Sequence, residues 1–253
     1  MTSRSDIKPN DRGWRRLSYT CRCGWVDWGH ALPGSALALK KQLDAERGDE
    51  PSLRHLDVRL NGKPAFVLSY GQEMGRGPLR ISTHRHWIVA KGLSDQQREE
   101  VGLGIFMSAS HTFETMQGSF PFSIASGSSS FSVEDLVSNL IGFYSAFRGV
   151  SQDSMRRICG EVGVEASDQV WSEHTPQGLQ THRNRDFKPI LFPCGECEKA
   201  DTSFPQELST LKAATPGFLY VAPQTRFIPG MLANAAVPLD FDSLGRMQPG
   251  FKR

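Results

Sequence analysis

Two long runs of helical periodicity, separated by a Gly- and Ser-rich break, constrain this chain more than any other feature. The first runs from Ser94 to about Gln117. Ser94 stands where an N-cap belongs, and Gln97 three residues later completes a capping box. Leu103, Phe106 and Phe113 make one apolar stripe. Gly104, Ser108, His111, Thr115 and Gly118 make a second stripe, small and polar, that lets another backbone come close. Residues 118–131 then form a Gly/Ser loop, long for a connection without structure of its own. A second helix follows, with Ser132 as its expected cap and Asp135 as the capping partner. Leu136, Leu140, Phe143, Tyr144 and Phe147 give it a broad apolar face, and Gly149 closes it.

Ahead of these helices the texture is that of strands. Leu56–Leu60 alternates, Asn61-Gly62 is a strong hairpin turn, and Ala65–Tyr70 returns. Leu79–Val89 is a further strand-like run. A short helix is expected from Pro33-Gly34-Ser35 to a C-cap at Gly48. Leu17–Thr20 reads as a short strand, and Ser154–Gly163 as a short helix. The expected fold is α+β: a small antiparallel sheet packed against two long helices, with an irregular C-terminal extension. The expected division is an N-terminal arm over 1–18, an α+β core over 19–171, and the extension over 172–253, whose best strand is Phe218–Val221.

Composition narrows the class. A hydrophobic fraction of 38% with 22% charged residues fits a soluble globular protein. A net charge of +2 gives no argument for nucleic acid, and the short clusters Arg12–Arg16 and His182–Arg185 read as solvated faces. No apolar window approaches the length of a membrane span. The first residues lack the apolar centre of a secretory signal. The protein is therefore expected to be synthesised in the cytoplasm, and any action outside the cell would require a signal-independent secretion system. Five cysteines, Cys21, Cys23, Cys159, Cys194 and Cys197, are an odd number and do not suggest a disulfide framework. A four-thiolate zinc site, a Cys194–Cys197 disulfide and plain loop cysteines all remain open.

The stretch Tyr19–His30 packs two thiols, a carboxylate, an imidazole and two indoles into twelve residues. A cysteine becomes a nucleophile where a base or a positive neighbourhood favours its thiolate, and Cys21 lies beside Arg22. His30, His84, His86 and His111 are the imidazoles that can serve it. Glu114 sits one turn beyond His111, so both are expected to reach one region. His84 and His86 share a strand face, which opens a metal site completed by Glu114 or Asp27. No phosphate loop, dinucleotide fingerprint, His-Glu-x-x-His or Gly-x-Ser-x-Gly occurs.

The pattern Thr20-Cys21-Arg22-x-Gly24-Trp25-Val26-Asp27-x-x-His30 resembles the start of an uncharacterised family of bacterial envelope proteins, DUF4056. The helical His111 with Thr115 and Gly118, and the run Ser129–Gly142, resemble two further blocks of that family in the same order. Together they cover about residues 19–145. Cys21, Asp27, His30 and His111 fall in the shared pattern, whereas Cys23 and Glu114 depart from it. The resemblance implies a site and no particular reaction.

The expectation is therefore a cysteine-type hydrolase or amidase. Cys21 would attack an amide or ester carbonyl, His111 or His30 would carry the proton, and Asp27 or Glu114 would orient the imidazole. No cofactor is expected, and a metal is left undecided. The expected context is a delivered bacterial toxin, with peptidoglycan or a protein as substrate and a secretion-system or immunity protein as partner. The alternatives are a metal-dependent hydrolase using the same histidines and a non-enzymatic binding or structural module.

Overall fold

The computed structural model describes residues 2–49, 51, 54, 57–74, 81–117, 130–222, 225–227 and 234–236. The chain forms two compact units, Met1–Ala36 with Glu114–Thr210 and Leu37–Phe113 with Leu211–Arg253. Two of the three boundaries fall inside helices, α1 (Gly34–Asp44) and α2 (Asp95–Gln117). The architecture is mixed α+β, with a small antiparallel sheet. Among the described residues no helix is long and apolar enough to cross a membrane.

The first unit is built on a hairpin that the sequence reading recognised only in its first half. Strand β1 (Leu17–Thr20) pairs antiparallel with β2 (Gly24–Asp27), and Cys21-Arg22-Cys23 is the turn between them. Residues 159–162 run along the hairpin end. Cys21 and Arg22 donate N–H bonds to Gly160 and Cys159, and Val162 donates to Tyr19. Every residue of both strands is buried, so their apolar and polar side chains alike are enclosed. Ile7, Tyr19, Trp25, Val170 and Trp171 share one core, where Trp25 meets Tyr19 and Trp171 edge to face.

Among the described residues, that unit also contains the helices α3 (Asp135–Arg148), α4 (Gln152–Cys159) and α5 (Val164–His174). Helix α3 carries the expected apolar face, with Phe143 stacked on Phe147, and closes at Gly149. Its start differs from expectation. The Ser132 N–H does bond Asp135, but the Ser132 hydroxyl donates to the Glu134 carboxylate rather than accepting from the helix. Helix α4 begins two residues earlier than expected, on a Ser151 cap. Helix α5 was not foreseen, because His174 and the Pro and Gly beyond it blur its periodicity. The N-terminal residues are no free arm: Ile7 is buried, and Arg4 holds Asp168 through two bonds of 2.7 Å. Nor are Arg15 and Arg16 a solvated face. Arg15 is buried and donates to the Val162 carbonyl at 2.7 Å.

The second unit holds the sheet, in the order β3 (Val58–Leu60), β4 (Lys63–Tyr70), β7 (Arg85–Ala90) and β8 (Tyr220–Val221), all antiparallel. Asn61 and Gly62 both adopt positive φ, as a two-residue hairpin turn requires, and set Leu60 against Lys63. Two short paired strands, β5 (Glu73–Met74) and β6 (Ile81–Ser82), precede β7, and β9 (Thr225–Phe227) pairs with β10 (Asn234–Ala236). Helix α1 ends at Asp44 rather than at Gly48, because Glu46 takes the left-handed conformation first. Helix α2 has the expected box: Gln97 donates its N–H to Ser94 Oγ at 3.2 Å and accepts the Ser94 N–H at 3.0 Å. Its small stripe does admit another backbone. A Cβ on Gly104 would lie 2.6 Å from the Ala214 carbonyl and 2.5 Å from the Tyr220 hydroxyl.

The expected extension divides between the units. Residues 175–210 lie along the first through short turns, with the Tyr19 hydroxyl donating to the Phe192 carbonyl at 2.7 Å, and β8 joins the sheet of the second. The Gly/Ser loop expected over 118–131 lies outside the described residues except at Ser130 and Phe131.

Candidate functional site

Cys21 is not a free thiol. It is joined to Cys197 by a disulfide, because the hairpin turn and the short helix Gly195–Cys197 meet in the core of the first unit. A nucleophilic thiolate at Cys21 is therefore not present in this form of the chain. The reading that the cysteines make no disulfide framework is corrected with it, and so is a Cys194–Cys197 pair. A four-thiolate zinc site loses two of its ligands to the same bond.

The other two residues of the motif do come together. Asp27 ends β2 and is fully buried at 0% exposure. It holds Arg16 through bonds of 3.1 and 2.9 Å and accepts the Gly29 N–H at 2.8 Å. Its own N–H donates to Ser138 Oγ at 2.9 Å, which fixes β2 to α3. His30 follows in the turn after β2. Its Nδ1 lies 3.4 Å from Asp135 Oδ1 and 3.8 Å from Asp27 Oδ2. The imidazole thus bridges a carboxylate from the hairpin and one from the first turn of α3.

Two more carboxylates stand behind it. Glu134 is buried and accepts from both the Thr2 and the Ser132 hydroxyls. Glu114, on the last turn of α2, is also buried and accepts the Phe131 N–H at 2.7 Å, while its carbonyl accepts from the Ser130 hydroxyl. Phe131 has φ 55°, a conformation that a bulky residue rarely holds. Neighbours fix it there: Asn184 donates its N–H to the Phe131 carbonyl, and the Arg185 guanidinium lies 5.1 Å from the ring centre.

The electrostatics follow from this crowding. Burial pushes the Glu114 carboxyl up, and the Asp135 charge adds to it, so it titrates at about 8 despite the Phe131 N–H and the His30 charge. Burial and the Asp135 charge likewise raise Glu134 to about 7, against its two hydroxyl donors. For His30, burial favours the neutral ring. The Asp135 hydrogen bond and the Asp27 charge outweigh it and raise the imidazole to about 9. Although the ring sits among protein atoms, 49% of its side-chain surface meets solvent, and that exposure screens the pull of the carboxylates. Burial also pushes Asp27 up, but His30, Arg16 and the Gly29 N–H together hold it below its usual value.

His111 belongs to the second unit and is solvent-exposed, whereas Glu114 three residues later is buried in the first. Their side chains stand on either side of the line between the exposed and buried faces of α2. His84 and His86 also lie in the second unit, with His84 exposed. Among the described residues no three His, Cys, Asp or Glu side chains are arranged to hold a metal ion. The sequence reading missed Arg16, Glu134 and Asp135 as site residues. Glu134 and Asp135 were visible only as helix-start acids, and Arg16 only as part of a basic cluster. No family model, curated protein or solved structure matches the chain.

Proposed function

We propose that the protein is an amide hydrolase that works through the imidazole and carboxylates of the first unit and not through a thiol. The observation that carries this reading is His30 held at Nδ1 between Asp27 and Asp135 with half of its side chain open to solvent. A ring fixed at one nitrogen has its tautomer and orientation set, and presents Nε2 to a substrate. With its titration raised to about 9, His30 is an imidazolium at neutral pH and acts first as a general acid. As water adds to the carbonyl carbon and the C–N bond breaks, Nε2 protonates the departing nitrogen. The proton released by the attacking water returns to the ring. Asp27 and Asp135 position the imidazole, and Glu114 and Glu134 set the charge around it.

The motif that resembles DUF4056 contains both Asp27 and His30, which supports the choice of these two. We place the activity outside the cytosol, because a disulfide such as Cys21–Cys197 persists in an oxidising compartment. Delivery by a signal-independent secretion system, with peptidoglycan or a protein as the amide substrate and an immunity protein as partner, follows as the context of this proposal.

The test is digestion of purified peptidoglycan sacculi and of casein, followed by chromatography and mass spectrometry of released fragments. Wild-type protein is expected to release fragments with new amine ends from one of the two, His30→Ala to release none, and Cys21→Ala/Cys197→Ala to retain activity. Release by His30→Ala, or no release from either substrate by wild type, overturns the reading.

A further inference from the structure

The thiols of Cys23 and Cys159 lie 2.9 Å apart, and both residues are buried, at 1% and 0% exposure. Even carbon atoms in contact sit about 3.5–4.0 Å apart, and sulfur is larger. Two sulfurs at 2.9 Å are well inside ordinary packing contact. The backbone explains why they meet. Arg22 donates its N–H to the Cys159 carbonyl at 3.0 Å, Cys21 donates to Gly160 at 2.9 Å, and Thr20 bridges Glu161. The hairpin turn and the end of α4 are thus already in register, with the two side chains enclosed between them.

We propose that Cys23 and Cys159 form a second disulfide in the mature protein, so that the two arms of one tight turn are stapled to two distant segments. Cys21 already reaches Cys197 across 176 residues, and Cys23 would reach Cys159 across 136. Four of the five cysteines are then paired, and Cys194, which is partly exposed, remains the free thiol. The oxidant is a disulfide, either glutathione disulfide or an oxidoreductase. The Cys23 thiolate attacks it and expels one thiolate, giving a mixed disulfide. The Cys159 thiolate then attacks the Cys23 sulfur and expels the second. The two protons and two electrons of the dithiol leave in the two thiols released. Both residues are enclosed in the folded chain, and the Cys23 thiol and burial push Cys159 up, so Cys159 is a poor nucleophile there. The bond therefore forms while the chain folds and not afterwards.

The consequence reaches the candidate site but does not depend on its activity. The stapled turn leads directly into β2, which ends at Asp27 and sets the position of His30. The test is a disulfide map of the full chain. The protein is reduced and unfolded, refolded in mixed oxidised and reduced glutathione, quenched with acid and N-ethylmaleimide, and digested without reductant. One maleimide is expected, on Cys194, with linked peptides Cys21–Cys197 and Cys23–Cys159. The Cys194→Ser chain, treated alike, is expected to take up none. Maleimide on Cys23 and Cys159, any link that includes Cys194, or a map without the Cys23–Cys159 link for whatever reason overturns the proposal.

Discussion

His30 Nδ1 stands 3.4 Å from Asp135 Oδ1, and this pairing joins the end of the hairpin to the first turn of α3. The two residues are 105 positions apart in sequence, yet the geometry around them leaves little freedom. Asp27 grips Ser138 one helical turn beyond Asp135, and Ser132 donates its N–H back to Asp135. The Ser132 N–H therefore anchors the carboxylate that meets the imidazole, and the Asp27 N–H anchors the helix that carries it.

The charge of the cluster makes stability fall on the alkaline side. His30, Glu114 and Glu134 bind protons more tightly folded than unfolded, with values of about 9, 8 and 7 against 6.5, 4.5 and 4.5. The stability they contribute is complete below the unfolded values and is lost as pH rises through the folded ones. Asp27 runs the other way. Its contribution is present above its usual value of 3.8 and is lost as pH falls through the lowered one. Calorimetry should show the melting temperature dropping between about pH 6 and pH 9, and Glu114→Gln should flatten that drop. An equal drop in the variant would contradict the buried, proton-holding Glu114.

Arg16→Met removes the partner of a fully buried carboxylate. Arg16 itself is 35% exposed, so solvent screens part of the loss. The expected cost is on the order of 2 kcal/mol, below that of a fully enclosed pair. Urea unfolding measures it, and an unchanged midpoint would mean that Asp27 draws its support from Gly29 and His30 alone.

The two expected helix caps should now behave differently. Ser94→Ala loses a hydroxyl that accepts from Gln97, at a cost of about 1 kcal/mol. Ser132→Ala loses no cap to α3. It removes a donor that holds Glu134 ionised, so Glu134 should titrate higher than in the wild type. Carboxyl NMR of the two proteins is the check, and a lower or unchanged Glu134 titration in the variant would show that the hydroxyl is not its donor.

These cases also show what the sequence makes legible. The Asn61-Gly62 turn and the Ser94 box are local patterns, where neighbours in sequence carry the whole cause, and both are read correctly; the Gly104 position of the small stripe does take a close backbone approach, from distant Ala214. The Cys21 disulfide is different, because nothing local distinguishes a thiol that will meet Cys197 from one that will meet a substrate. Asp27 and His30 stand out by their density in one motif. Asp135 and Glu134 do not, since an acid at a helix start is ordinary until the fold brings an imidazole against it. The polarity of the stripe around His111 is ambiguous for the same reason: it suits a site and it suits the solvent that His111 faces.

Removing the Cys21–Cys197 staple separates stability from chemistry. The loop it closes is long, so Cys21→Ala/Cys197→Ala should cost about 2–4 kcal/mol, read as a lower urea midpoint. The hydrolytic rate at a temperature where the variant is folded should stay within a few-fold of wild type. A rate lost entirely while the fold persists would return the reaction to the Cys21 thiol.

The most direct measurement is the titration of His30 by heteronuclear NMR of its ring nitrogens, in the wild type and in Asp135→Asn. The account predicts a wild-type imidazole that keeps its proton until about pH 9, with Nδ1 bonded, and a clear downward shift when the Asp135 charge is removed. A His30 that titrates near the ordinary 6.5 in the wild type, or that is indifferent to Asp135→Asn, would contradict it.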